Sequence, residues 1–301
     1  MKRLGDGSSV AIGADRFWYL ASATKVPIAI AVLREVDARR LRLDETLRVT
    51  DDDRVDSTGE LVWAKTGTAV SIESLLERML AVSDSVAANM LFRRIGQKAV
   101  NDIARRSMGA GRTGAITTIS EVRHRVYGEL HPEANRLSGP QLLEIAASEA
   151  GPQRVSAVRR ALGINADDLR MSSLDEAYDR YYAGRHNAAT LIGYCAMLES
   201  LVRGRLLSPD ATGRLFKAMG LGRDGHRRLQ AGLPEGRPFI HKTGTHHRRA
   251  CHMGVIDPGD GGRRAIVVGV AIAGPEDGRE SDQAFERIGT AIRRTVLAPL
   301  R

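Results

Sequence analysis

The most uniform apolar stretch of the chain runs from Val26 to Leu33 and carries no charge on any helical face. A helix that is apolar all round belongs in the middle of a core, and the pattern predicts one from about residue 22 to 39 with only its first turn polar. Pro27 falls in that turn, where its missing N–H breaks no helical bond. Amphipathic periods follow. One helix is capped by Ser71 and buries Leu75, Leu76, Met79 and Leu80; the next carries Ala88, Leu91, Phe92 and Ile95 on one face and stops at Gly96. Helical pieces continue at 121–127, 138–150 and 153–162, residues 174–187 read as a polar, tyrosine-rich loop, and 188–203 reads as one long helix. Ser208-Pro209 opens another. Near residue 220 the period changes to that of strands at 239–241, 250–256 and 265–273, separated by Gly and Pro turns. Ser281 is expected to cap a last helix with Phe285, Ile288, Ile292 and Val296 inward. At the other end, the Gly5-Asp6-Gly7 turn and the short pieces Val10-Ala11-Ile12 and Phe17-Trp18-Tyr19-Leu20 read as the end of a hairpin.

Helices in the middle and strands at both ends imply an α/β fold of two lobes: an antiparallel α/β lobe made of residues 1–21 plus 221–301, and an inserted all-α lobe of residues 22–220. At 301 residues the chain is long enough for a sizeable core.

Charge alters this picture little. The net charge is +9, but only 6 of the 45 basic residues are lysines and the arginines are scattered singly among acids, as on solvated helix faces. Aromatics make up 4% and interleave with no basic patch, so nucleic acid is not the expected partner. Cys195 and Cys251 form no metal-like or disulfide-framework spacing, and no apolar run reaches membrane-spanning length. No apolar leader follows Met1-Lys2-Arg3, which implies a cytoplasmic protein as the sequence stands, or a secreted or periplasmic one if the start is truncated. His241, His246, His247 and His252 crowd one strand pair at a spacing unlike zinc sites, and neither metal nor cofactor is expected.

The chemistry begins at the head of the apolar helix. Ser22 and Lys25 are three apart and share a face, so the amine can reach the hydroxyl. A serine becomes a nucleophile when a neighbouring base takes its proton, and lysine is such a base when its surroundings keep it neutral. Backbone N–H groups at a helix start suit the oxyanion of an attacked carbonyl. The plainer alternative is an N-cap serine beside a solvated lysine. Two further polar triplets fall at suggestive places: Ser83-Asp84-Ser85 in a link between helices, and Lys242-Thr243-Gly244-Thr245 at the end of a strand, where Gly244 would let a substrate lie against the backbone. Lys65-Thr66-Gly67-Thr68 repeats that tetrapeptide but leads towards a helix start and reads as a loop.

With S-x-x-K, S-D-x and K-T-G in this order, together with Ala87-Ala88-Asn89 and Ala231-Gly232-Leu233-Pro234, nearly the whole chain resembles the penicillin-recognising serine enzymes, and within them the class A β-lactamases. The resemblance implies a β-lactamase/transpeptidase-like fold with Ser22 as the acylated nucleophile, Lys25 as its base or relay, Ser83 as proton donor to the leaving nitrogen, and Lys242 as a fixed positive charge. Ser22 and Thr245 N–H groups would form the oxyanion hole. Thr243 and Thr245 would bind the substrate carboxylate, with Arg248 or Arg249 adding charge, although both arginines also read as surface residues. A monomer acting on a small β-lactam, acyl-peptide or ester is expected.

Three departures accompany the resemblance. Ser85 stands where the family has an amide that contacts the acyl side chain. The family's E-x-x-L-N loop, whose glutamate activates the deacylating water, is missing; Asp175 or Glu176 are the candidates for that role, with exposed loop carboxylates as the alternative. The segment between the second and third motifs is long, its helices near 138–163 reading as extra cover, and only 21 residues precede Ser22. The leading expectation is a β-lactam-opening hydrolase. A D-alanyl peptidase-like enzyme or an esterase or amidase is the nearest alternative, and a degenerate binding or sensor domain is the third.

Overall fold

The computed structural model describes residues 1–222, 228–274 and 278–297. Strands β1 (Lys2–Arg3) and β2 (Phe17–Tyr19) precede a 3-10 turn at Ala21–Thr24 and helix α1 (Lys25–Asp37). Short strands β3 (Thr46–Arg48) and β4 (Ala69–Ser71) lead to α2 (Ile72–Ala81), α3 (Ser85–Ile95), α4 (Gln97–Met108), α5 (Ile119–Leu130), α6 (Gly139–Ala147), α7 (Pro152–Leu162) and α8 (Leu174–Ala183). After β5 (Ala188–Thr190) come α9 (Leu191–Val202), α10 (Pro209–Gly220) and the short α11 (Leu229–Gly232). The chain then forms β6 (Phe239–His246), β7 (Arg249–Ile256), β8 (Ile266–Ala273) and α12 (Gly278–Thr295).

Strands β1, β8, β7 and β6 make an antiparallel sheet in that order. Period-2 alternation sorts its side chains. Cys251, Met253, Val255 and Val267 join a core with α1, α3 and α9, while Ala250, Ile256, Ile266 and Val268 pack on Phe285 and Ile292 of α12. Both faces are covered, so these strands read as nearly continuous apolar runs. Every residue of α1 from Lys25 to Leu33 is buried, as its uniform apolarity requires.

The expected caps Ser71 and Ser208 accept from Ser74 N and Ala211 N. Other expectations need correction. Val10-Ala11-Ile12 forms no strand; the Gly5–Gly7 turn closes on a single bridge between Lys2 and Ser9. Phe17–Tyr19 pairs with β5, not with a hairpin partner. Residues 174–183 are a helix capped by Ser173, because Leu174, Ala177, Tyr178 and Tyr181 form a buried i, i+3, i+4, i+7 stripe whose tyrosines hid it in a polar-looking sequence. Residues 188–190 are strand before α9 starts at its Thr190 cap. Ser281 lies buried inside α12, not at its cap. Strand β6 continues through Lys242-Thr243-Gly244-Thr245 to His246.

Residues between 114 and 187 build α5 to α8 around a separate core that includes Val126, Tyr127, Leu142, Val158 and Tyr178, and this core reaches Tyr19 and Ala21 beside Ser22. Asn187 fastens its base. Asn187 is buried at φ 50°, its Oδ1 accepts from Thr117 N at 2.9 Å, and its Nδ2 donates to Thr117 Oγ1 at 2.8 Å and Tyr181 Oη at 3.1 Å. An Asn187→Ala variant orphans the Thr117 N–H and forces alanine into a left-handed conformation, so a loss of about 2 to 4 kcal/mol is expected. Hydrogen exchange should show the amides of residues 114–187 losing protection first; unchanged protection there would refute this role.

Candidate active site

The two halves of the site meet at a buried amine. In the 3-10 turn residues i and i+3 eclipse, which sets Lys25 Nζ 3.2 Å from Ser22 Oγ. The Lys25 side chain is fully buried, and its Nζ also lies within hydrogen-bond distance of Ser83 Oγ at 3.1 Å, Ser85 Oγ at 3.4 Å and the Ser83 carbonyl oxygen, more partners than its N–H groups can serve at once. Ser83 holds φ at 58°, a left-handed conformation that serine seldom adopts. The buried Asp84 fixes this corner: its Oδ1 accepts from Val86 N and Ala87 N, and its carboxylate also accepts from Ser57 Oγ and Leu61 N. Gly59 makes room for it, since a Cβ there would lie 2.0 Å from Asp84 Oδ2.

The nucleophile turn rests on β6. A Cβ at Gly244 would meet Leu20 O at 2.4 Å, Cys251 Sγ at 2.6 Å and Ala21 Cβ at 3.1 Å. The expectation that Gly244 makes space for substrate is therefore corrected: its missing side chain lets the turn bearing Ser22 sit on the strand. Leu20 O also accepts from Cys251 Sγ, and Ala23 O from Tyr194 Oη at 2.8 Å. Burial raises the Cys251 thiol to about 12, so it is inert.

A cavity of about 310 Å³ opens over Ser22, lined by Ser83, Ser85, Thr243, Thr245, Ile119 and, further along, Tyr19, Asp56, Arg123 and His246. Lys242, next to Thr243 on β6, is buried and donates to Thr243 O. Ser22, Lys25, Ser83, Ser85, Thr243 and Thr245 are thus brought together. Arg248 and Arg249 are not: Arg248 pairs with Asp175, and Arg249 pairs with Asp179 and lies over the Tyr182 ring. The guanidinium at this end is Arg228, which long-range contacts place and sequence reasoning missed. Buried Arg228 donates to Thr245 Oγ1 at 2.6 Å and to the carbonyls of Gly244 and Cys251, with its Nε on Asp282.

Asp175 and Glu176 do not line the cavity either. They stand exposed on the first turn of α8, where Asp175 faces His247 and Glu176 faces Arg180. Among the described residues lining the cavity the one carboxylate is Asp56. Arg123 donates to both its oxygens, at 2.8 and 2.6 Å, and donates from Nη1 to His246 Nε2 at 2.6 Å. Tyr182 Oη donates to His247 O at 2.7 Å, so the 2.8 Å contact with His246 Nδ1 has the imidazole donating. The network therefore defines a neutral His246 with its proton on Nδ1. Burial opposes charge on Asp56, but Arg123 outweighs it and holds the carboxyl down to about 2. Loss of water and the Arg123 charge push His246 well below its usual value, and loss of water does the same to the buried His252.

This fold and this site define a β-lactamase-like serine enzyme. The sequence model of the beta-lactamase enzyme family matches residues 1–296, and the chain belongs to that family. Among relatives, it is 30% identical to beta-lactamase VEB-1 of Pseudomonas aeruginosa over 87 residues, covering 28% of this chain and 29% of that one. It is 23% identical to the beta-lactamase of Mycobacterium tuberculosis (strain ATCC 25177 / H37Ra) over 241 residues, covering 80% of this chain and 61% of the relative. The matches thus span less than two thirds of these relatives' lengths. A beta lactamase from Burkholderia vietnamiensis superposes with TM-score 0.71 at 21% identity, covering 99% and 90% of the two chains. A mutant of PBP-A, solved as an acyl-enzyme complex with penicillin-G, superposes with TM-score 0.69 at 19% identity, covering 97% and 87%.

Two outcomes follow from this geometry. Gly244→Ala forces the Ser22 turn off β6 and should lower stability by about 1 to 3 kcal/mol, measured by denaturant melting. The folded state holds His246 and His252 neutral, whereas the unfolded chain protonates them near their ordinary value of about 6.5. Their contribution is present above that value and lost as pH falls below it. Melting temperature should drop between about pH 7 and pH 5, and His246→Gln should flatten part of that slope. The Asp56 pair persists to about pH 2 and adds nothing in this window, so an equal slope in the variant would contradict the assignment.

Proposed function

We propose that the chain is an acyl-serine hydrolase that opens β-lactam amides through Ser22. The observation that carries this reading is the amine of Lys25 within hydrogen-bond reach of both Ser22 Oγ and Ser83 Oγ. Ser22 Oγ would add to the lactam carbonyl as its proton passes to Lys25 Nζ, which acts in its neutral form. The oxyanion would rest on the N–H groups of Ser22 and Thr245. When the C–N bond breaks, the proton would return from Lys25 through Ser83 to the leaving nitrogen. Thr243, Thr245 and Arg228 would hold the substrate carboxylate, with Lys242 supplying positive potential.

Release of the acyl group is the slow half in this reading. The wall beside Ser22 carries Ile119 and Val122, and Asp56 is engaged by Arg123, so no lining carboxylate among the described residues is placed as an unhindered base for water. That arrangement also favours the second reading, a D-alanyl peptidase-like enzyme or an esterase or amidase using the same acylation on another carbonyl.

Intact-protein mass after mixing with benzylpenicillin, with colour followed on a chromogenic cephalosporin, tests both halves. A penicilloyl adduct is expected on the parent chain and absent in Ser22→Ala; no adduct on either would sink the acylation mechanism. Ile119→Glu places a carboxylate on the cavity wall and should shorten the adduct lifetime by roughly a hundredfold, the low end of what a positioned general base contributes.

A further inference from the structure

The far end of the cavity is a built polar surface that acylation does not use. His246 follows Thr245 on β6, and with Asp56 and Arg123 it forms one side of the cavity that also holds Ser22. The walls on this side are Tyr19, Asp56, Arg123 and His246, with Ile119 and Val122 beside them. Asp56 comes from the loop before α2, Arg123 from α5 and His246 from β6, so three separate parts of the chain converge here.

The donor and acceptor inventory shows what remains available. A guanidinium carries five N–H groups. The bonds to Asp56 and His246 use three of Arg123's, which leaves one on Nη1 and one on Nη2. Each Asp56 oxygen accepts one of these bonds and keeps a further lone pair. The Asp56 side chain is 38% exposed and that of Arg123 10%, so the carboxylate forms the open lip of the pair and the guanidinium its floor. Nearby, Ser85 stands where an amide donor to the acyl chain was expected, and its Oγ accepts from Lys25.

We propose that Asp56 and Arg123 form an acyl-side subsite that selects substrates whose acylamino side chain bears a free α-ammonium group. Asp56 receives the ammonium, and the remaining N–H groups of Arg123 donate to the carbonyl next to it, adding to the single O–H donor that Ser85 offers in place of an amide. The Tyr19 ring with Ile119 and Val122 packs against the apolar part of the side chain. The substrate class is thus an aminoacyl-type donor, either an aminopenicillin or a short peptide with an unblocked amine. This subsite rests on the Ser22 acylation reading.

Ampicillin and benzylpenicillin differ only in that amino group, so their acylation rates, followed by intact mass in buffer acidic enough to keep the amine protonated, isolate it. The parent chain should acylate roughly tenfold faster with ampicillin, a modest gain for a charge-assisted hydrogen bond. In Asp56→Asn the ratio of the two rates should fall to about one, whatever the absolute rates, while Asp56→Glu, which keeps the charge, should retain a preference. Equal rates in the parent chain would overturn the subsite and leave Ser22 acylation standing, as would an Asp56→Asn variant that keeps the ratio. An absence of adduct with both penicillins would remove the acylation reading and the subsite with it. If Asp56→Asn fails to fold, the parent and Asp56→Glu comparison still decides.

Discussion

Everything in this molecule is arranged to keep one amine out of water with its partners in place. Lys25 is fully buried at the head of a helix that is itself buried along its length to Leu33, and its Nζ is held by Ser22, Ser83 and Ser85. Removing such a group from water is costly unless hydrogen bonds replace what the solvent gave. Those bonds come from two separate corners, each under backbone strain: Ala21 at φ 45° precedes the nucleophile, and Ser83 at φ 58° turns its carbonyl onto the amine. Strain of this kind persists only where surrounding structure over-determines it. Here Asp84 does so on one side, and on the other Gly244, Cys251 and Tyr194 grip the turn that carries Ser22.

Around this centre the cavity has ends of different electrostatic character. Arg228 and Lys242 give one end a cationic reach towards Thr243 and Thr245, with Asp282 drawing on Arg228 from behind. At the other end Asp56 and Arg123 balance each other, and the neutral His246 continues the network to Tyr182 and the β6–β7 turn. A ligand that bridges both ends would be oriented by charge before any bond forms, because its anionic group has one favourable place to go.

The parts of this arrangement legible in the sequence were those encoded by short spacing. Ser22 and Lys25 are local neighbours, Val26 to Leu33 advertises burial by composition alone, and the Ser83 and Lys242 triplets fall at element ends or within a strand, where pattern reading places them. The three C-terminal strands, the apolar face of the last helix, and the α2, α3 and α10 helices were likewise visible in period, with caps marking α2 and α10. Pairings across long separations were not. Lys25 and Ser83, 58 residues apart, were joined only through the resemblance; Arg123 meets Asp56 across 67 residues with no such guide, and Arg228 was overlooked in favour of Arg248 and Arg249, which follow the motif directly but turn towards α8. Helix α8 escaped because its buried stripe includes tyrosines, whose polar tips obscure the apolar period. The role of Gly244 was misread because the close approach that demands it comes from Leu20 and Ala21, more than two hundred residues earlier.

The chain leaves the helical lobe at Thr113 and re-enters it at Ala188, and these two points touch: Gly114 N donates to Ala188 O at 2.8 Å and Thr113 bridges Ala189. What lies between is a closed excursion whose ends meet at one doorway, while its sides are tied to the rest of the chain by Ser120 on Asn89, Arg123 on Asp56, and Tyr182 on His246 and His247. The excursion supplies Ile119, Val122 and Arg123 to the wall above Ser22. It shares that wall with Tyr19, Asp56, Ser57 and Thr58 from outside the doorway. In the proposed reading, Ile119, Val122 and Arg123 bring this excursion to bear on the fate of the acyl group, while Ser22, Lys25 and Ser83 stand outside it.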